Sequence, residues 1–267
     1  MLEANGIEYE DQGQGEPVLL IHGAFICDAL LPVAREAALA KRHRVIWYRR
    51  RGYGGGAPVP PGSGIEQQAG DAKALLEHLG VERAHVVGHS GGGVIATELA
   101  LQAPHVVRSL ALLEPAIMPP ALAAAFPEML APAMEAYRSG DVAGAVDAFM
   151  NLVAPEPDWR TELAKTLPAG PEHADRDAPF TFDVELPQFA GWVFDGDRAS
   201  RLSPPVLYVF GSESGPLIES LKDHFLSLVP KAESLRLPGL DHSMTTKGAG
   251  LVWEAVAEFL ARHGGTA

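Results

Sequence analysis

Cysteine is all but absent: Cys27 stands alone among 267 residues, so no disulfide can close within the chain and no cysteine-based zinc cluster can be assembled from it. Long apolar runs are absent too, with nothing approaching the ~20 residues of a membrane-spanning helix. The opening MLEANGIEYEDQGQGEPVLLIHG has no basic start followed by an apolar stretch. These absences set the expectation of a cytoplasmic protein in a reducing compartment. Positive charge is scarce as well: Lys and Arg number 21 against 34 Asp and Glu, for a formal net charge of −13. That balance argues against nucleic acid or an anionic membrane as the main partner, because both demand a basic face. The one basic run, Arg49-Arg50-Arg51, reads as ion-paired or solvated surface on this background. No residue set reads as a metal site, and no cofactor is expected.

What is present is an alternation of short apolar runs with stretches of helical spacing, the pattern of an α/β fold with a mostly parallel sheet and helices on both faces. Buried strands are predicted at residues 17–21, 44–49, 85–88, 109–113, 205–210 and 232–237. Asn5-Gly6 is a two-residue hairpin signal, so an antiparallel pair should open the chain at the sheet edge. Helical spacing covers residues 28–41, 67–79, 92–102, 217–228 and 250–262. The alternation breaks once, between residues 116 and 203, where Ala, Pro and Met dominate and helical pieces (119–137, 141–153) occur without a convincing strand. This division predicts a core of residues 1–115 and 204–267 with a helical cap inserted at 116–203. Gly52-Tyr53-Gly54-Gly55-Gly56-Ala57 matches a dinucleotide fingerprint, but Pro58, Pro60 and Pro61 follow where a phosphate-binding helix would have to begin, so it reads as a loop.

One serine sits where a strand turns into a helix. Gly88-His89-Ser90-Gly91-Gly92 matches G-x-S-x-G after an apolar run and before a helical pattern, the context in which such a serine is thrust above the strand ends. Serine is a weak nucleophile and needs a base, itself oriented by a third group. His242, in a Gly-containing loop beyond the last strand, is the best placed of the ten histidines. His22 and His89 flank the serine within backbone-defining motifs.

The motifs VLLIHGA, VVGHSGGG, PVLYVFG and LPGLDHSM, in that order, resemble those of the α/β-hydrolase fold superfamily, a likeness that covers nearly the whole chain outside the predicted cap. The resemblance implies Ser90 as nucleophile, His242 as base, and the backbone N–H groups of Ala24 and Gly91 as an oxyanion hole. It also implies an Asp in a G-x-x-D pattern after the penultimate strand. Here Gly211-Ser212-Glu213-Ser214 puts Ser214 at that position. Some members, among them zearalenone-lactone hydrolases and certain haloalkane dehalogenases, carry the acid as Glu after the strand that precedes the cap, and Glu114 of LALLEPA has that position. Glu114, Glu213 and the absence of a working acid stay open as alternatives, and Asp241 is expected to point away from its neighbour His242.

Serine rather than aspartate at the turn implies acyl transfer from a carbonyl. An apolar and aromatic set, Phe25, Met118, Phe189, Trp192 and Met244, is expected to bind a small-molecule substrate, and no convergent Arg or Lys pair favours an anion. The leading expectation is a serine hydrolase of a neutral ester or lactone. C–C bond hydrolysis, other chemistry on the same fold and a non-catalytic ligand receptor are the alternatives.

Overall fold

The computed structural model describes residues 1–36, 39, 41–56, 59 and 63–265. Its first two strands, β1 (Leu2–Ala4) and β2 (Ile7–Gln12), form the expected hairpin. Asn5 and Gly6 both take left-handed backbone, with φ of 54° and 78°, as a type I′ turn requires. β2 then pairs antiparallel with β4 (His43–Tyr48). The remaining strands, β3 (Glu16–Ile21), β5 (Ala84–His89), β6 (Val107–Leu113), β7 (Val206–Gly211) and β8 (Glu233–Leu237), run parallel, in the order β1-β2-β4-β3-β5-β6-β7-β8.

Every residue of β5 is buried, which is why it reads as one apolar run rather than an alternation. β8 departs from the expectation of a buried strand. Four of its five residues are exposed, because it closes the sheet and has a neighbour on one side only.

Helices flank the sheet. α1 (Leu31–Ala34), α2 (Ile65–His78) and α3 (Gly91–Gln102) precede β6, and α11 (Gly215–Leu228), α12 (Met244–Lys247) and α13 (Ala249–Arg262) follow β7. Between β6 and β7 lie α4 (Pro120–Met129), α5 (Ala131–Arg138), α6 (Val142–Val153), α7 (Trp159–Thr166), α8 (Gly170–Phe180), a π-helical turn (Thr181–Glu185), α9 (Leu186–Gly191) and α10 (Gly196–Arg201).

Two expected helices are shorter than their spacing predicts. Among the described residues of 28–41, Leu31–Ala34 forms α1, the chain leaves the helix at Arg35 and Glu36, and Leu39 is helical; residues 37, 38 and 40 lie outside the described set. The stretch 119–137 breaks at Leu130, since Pro132 has no N–H for the carbonyl four residues back and so sits in the first turn of a new helix, where none is needed. Among the described residues no helix is long and apolar enough to cross a membrane.

Gly92 marks one of the tight backbone approaches in the core. A Cβ there would stand 2.1 Å from the Ile21 carbonyl oxygen and 2.4 Å from that of His22, so the first turn of α3 touches the end of β3. Gly92→Ala should therefore cost about 1–3 kcal/mol through overpacking, read as a lower thermal midpoint. Gly70→Ala in α2, where a Cβ meets nothing within 4 Å, should be neutral or stabilising by up to ~1 kcal/mol. Equal midpoints for the two variants would refute this account of the contact.

Candidate active site

β5 hands the chain to α3 through a single residue. Ser90 holds φ 53° and ψ −123°, a conformation that costs a non-glycine residue free energy and persists only where the surroundings impose it. They do so here: the Ser90 N–H donates to the Leu113 carbonyl (3.0 Å), and its own carbonyl accepts from Gly93 (2.9 Å) and Ala116 (3.0 Å). Of the four described non-glycine residues with positive φ, Phe25 lies in the loop after β3, Ser90 and Glu114 directly follow β5 and β6, and Asn5 is in the hairpin. β4 and β5 lie on opposite sides of β3, so Ser90 and the loop after β3 face each other across the sheet's topological switch point, where open α/β sheets gather their ligands.

The loop after β8 returns His242 to this point. His242 Nε2 lies 3.0 Å from Ser90 Oγ, and His242 Nδ1 lies 2.7 Å from Glu114 Oε2. A carboxylate only accepts, so Nδ1 carries the proton and Nε2 is free to accept from the serine hydroxyl. Glu114 is 0% exposed, and its second oxygen accepts the Gly211 N–H (2.7 Å) and the Ser214 hydroxyl. The residue standing where the usual acid falls thus donates to the carboxylate that reaches His242.

The other carboxylates point elsewhere. Glu213 is exposed and accepts from the Ser212 hydroxyl at 2.8 Å. Asp241 accepts the Ser243 N–H and pairs with Lys247, both at 2.8 Å.

The two flanking histidines are neutral and structural. Burial first, and then Arg50, holds the His22 ring well below its usual pKa; its Nε2 accepts the Arg50 N–H at 3.0 Å, leaving Nδ1–H to donate to the Gly23 carbonyl at 2.7 Å. Burial and then His242 push His89 down to about 3. Its Nε2–H donates to the His242 carbonyl at 3.0 Å and so ties the histidine loop to β5.

Free space opens on two sides of Ser90, as small cavities of about 70 and 40 Å³. Ala24 borders both, and Gly91 the smaller. The smaller is apolar, walled by Met118, Leu122, Phe126, Phe189, Leu217 and Leu221. The larger carries Trp159 and Leu163 but also Glu156, Glu162, Thr166 and Lys247.

Of the five expected substrate contacts, Met118 and Phe189 line a wall and three do not. Phe25 is turned into the core by its positive φ and packs on Phe149 and Phe182, with ring centres 4.7 and 5.1 Å away. Trp192 donates its indole N–H to Glu98 (2.9 Å) and stacks on Phe194. Met244 is fully buried at the start of α12. The walls from α7 and α11 carried no sequence signal, because their apolar residues follow ordinary helical spacing.

The basic run departs from the expected surface. Arg49 pairs with Glu8 and Asp28, and Arg51 with Asp71, but Arg50 is 1% exposed and pairs with Glu185. Cys27, Asp28 and His173 come together, yet both Asp28 oxygens are engaged by Arg49, and burial followed by Asp28 raises the thiol far above its usual range. His85 and His89 form an H-x-x-x-H pair that the expectation of no metal site passed over. On strand β5 they stand ~13 Å apart, too far to share an ion. Residues 52–56 of the glycine-rich match form turns, and Ala57, Pro58, Pro60 and Pro61 lie outside the described residues.

The fold has many relatives. A protein of Azorhizobium caulinodans named as a carbamate hydrolase, RutD, is 45% identical over 105 residues, 39% of each chain. Alignments to the first curated relatives span 29 to 64% of those proteins' lengths. A thermophilic esterase from Thermogutta terrifontis superposes with a TM-score of 0.78 at 22% identity, covering 97% of this chain and 94% of that one. The enol-lactonase from Burkholderia xenovorans LB400 gives 0.76 at 20% identity, with 96% of each chain covered. The model of the alpha/beta hydrolase fold family matches residues 16–152, and with this sheet order and this strand-to-helix turn, the chain belongs to that family.

Proposed function

We propose that the protein is a cofactor-independent serine hydrolase acting on a neutral ester or lactone. The observation that carries this reading is the hydrogen-bonded series Ser90, His242, Glu114, with contacts of 3.0 and 2.7 Å at the carboxyl ends of adjacent strands. His242 takes the Ser90 proton as Oγ attacks the substrate carbonyl, and Glu114 stabilises the imidazolium. The N–H groups of Ala24 and Gly91 receive the oxyanion, each such donor being worth ~3 kcal/mol in the transition state. His242 then protonates the leaving alcohol and activates the water that releases the acid. The name of the 45% identical relative, a carbamate hydrolase, fits the same attack on a carbonyl.

The two cavities divide the substrate. The apolar one, beside Gly91, suits the acyl chain, and the mixed one suits the leaving group. Phe189 bounds the acyl side: a Cβ added at Gly91 would come 2.4 Å from its Cζ, so the ring lies against the turn itself. Phe189→Ala should raise kcat/KM for an eight-carbon acyl ester relative to acetate by about tenfold or more, the scale on which pockets distinguish a few methylenes. An unchanged chain-length profile would refute this division.

The direct test of the function is covalent. A fluorophosphonate should label one serine per chain, located to Ser90 by peptide mapping, and chromogenic esters or simple lactones should turn over. Neither label nor turnover would overturn the reading.

A further inference from the structure

The Ala24 N–H shares one planar peptide with the Gly23 carbonyl, and in a trans peptide the two point in opposite directions. No peptide bond among the described residues is cis. Whatever holds the Gly23 carbonyl therefore aims the Ala24 N–H. Two donors hold it: His22 Nδ1–H at 2.7 Å and Arg50 Nη2–H at 2.8 Å. Arg50 also donates from Nε to the His22 carbonyl (2.9 Å) and from its backbone N–H to His22 Nε2 (3.0 Å). Two successive carbonyls at the end of β3 are thus tied to one guanidinium.

That guanidinium is used in full. Its remaining N–H groups go to the Gln68 side-chain carbonyl and to both oxygens of Glu185, so five donors in a rigid fork find five acceptors. Glu185 is 0% exposed and also accepts from the Tyr53 hydroxyl and the Gln68 amide. The Tyr53 hydroxyl lies 3.0 Å from Thr181 Oγ1, at the other end of the same π-helical turn. Arg50 and Glu185 are 135 residues apart in sequence and border neither cavity beside Ser90. A buried ion pair is weak evidence of stabilisation, since apolar residues of similar volume often serve as well. What only this pair supplies is direction, set on one peptide.

We propose that Arg50 and Glu185 are positioning residues for the oxyanion hole: the helical segment between β6 and β7, through Glu185, holds the Arg50 fork against the His22 and Gly23 carbonyls and so aims the Ala24 N–H at the substrate. The inference rests on the reading of Ala24 as an oxyanion donor. It makes assembly of the hole depend on the helical segment being seated. Loss of the Glu185 contact would free the Gly23–Ala24 peptide to rotate while leaving Ser90 and His242 in place.

The test compares wild type, Arg50→Lys and Glu185→Gln, with thermal midpoints to verify folding. Lysine keeps the charge but has three donors and no fork. Removing an oxyanion donor outright costs about 10²–10³ in kcat, so misaiming one should lower kcat about 10- to 100-fold while KM stays within about threefold. Phenylboronic acid is the second probe: its boron accepts the Ser90 oxygen to give a tetrahedral anion, with the serine proton passing to His242. Its Ki should rise in step with the fall in kcat, and Glu185→Gln should move both in the same direction by less. Amide hydrogen exchange at Ala24 should quicken in both variants. An unchanged boronate Ki, a change confined to KM, or unchanged exchange at Ala24 would overturn the proposal. A wild type that turns over no ester overturns the hydrolase reading instead, and exchange at Ala24 then decides whether the pair orients this peptide.

Discussion

Ser90→Ala should abolish turnover, by about 10⁶-fold in kcat, the scale seen when the nucleophile of a serine–histidine pair is removed. The fold should survive, because the residue's constraints are backbone hydrogen bonds to Leu113, Gly93 and Ala116, all of which alanine keeps. His242→Ala should cost about as much, since an oxygen without its base is no better than one that is missing. The double variant should then be no worse than either single one, as residues acting in one proton transfer do not contribute additively. Initial rates on a chromogenic ester, with the fluorophosphonate label as a second readout, decide it. Residual activity within tenfold of wild type in Ser90→Ala would place the chemistry elsewhere, and summed losses in the double variant would mean that the two side chains act separately.

Much of this architecture was legible in the sequence, because it is written in local chemistry. Asn5-Gly6 announces left-handed turn residues, the apolar runs of the parallel strands announce burial on both faces, and Gly88, Ser90 and Gly92 announce a chain reversal too tight for side chains. What the sequence withholds depends on contacts between distant segments. Nothing near Arg50 indicates that it leaves the surface, since its partner lies on the π-helical turn. Phe25 reads as a pocket residue by its place beside the His22-Gly23 loop, yet its positive φ sends the ring to Phe149 and Phe182. Trp192 likewise reads as apolar wall until Glu98 is found on its indole N–H. β8 reads as buried, although a strand's neighbours cannot be counted from its own residues.

The choice between Glu114 and Glu213 belongs to the same class: the loop sequence shows that the usual Asp is missing but not which carboxylate His242 meets. Glu114→Gln tests the contact in a specific way. The Gly211 N–H and the Ser214 hydroxyl both donate to Oε1, so the oxygen of the new amide should stay with these two donors and turn its NH₂ toward His242. An NH₂ facing Nδ1 forces the proton to Nε2, the nitrogen that has to accept from Ser90. The expected loss is about 10⁴-fold in kcat, the cost of holding the wrong tautomer, with KM little changed. Glu213→Gln, on an exposed side chain, should stay within about twofold of wild type. Because the Ser214 hydroxyl already touches the Glu114 carboxylate, adding Ser214→Asp to Glu114→Gln returns a carboxylate to the neighbourhood of His242 and should recover at least about tenfold, roughly 1.4 kcal/mol. Ser214→Asp alone sets two carboxylates against each other and should be less active than wild type. Rates for the four variants on one ester give the answer: full activity in Glu114→Gln would remove the glutamate from the mechanism, and a large loss in Glu213→Gln would move the acid to the loop after β7.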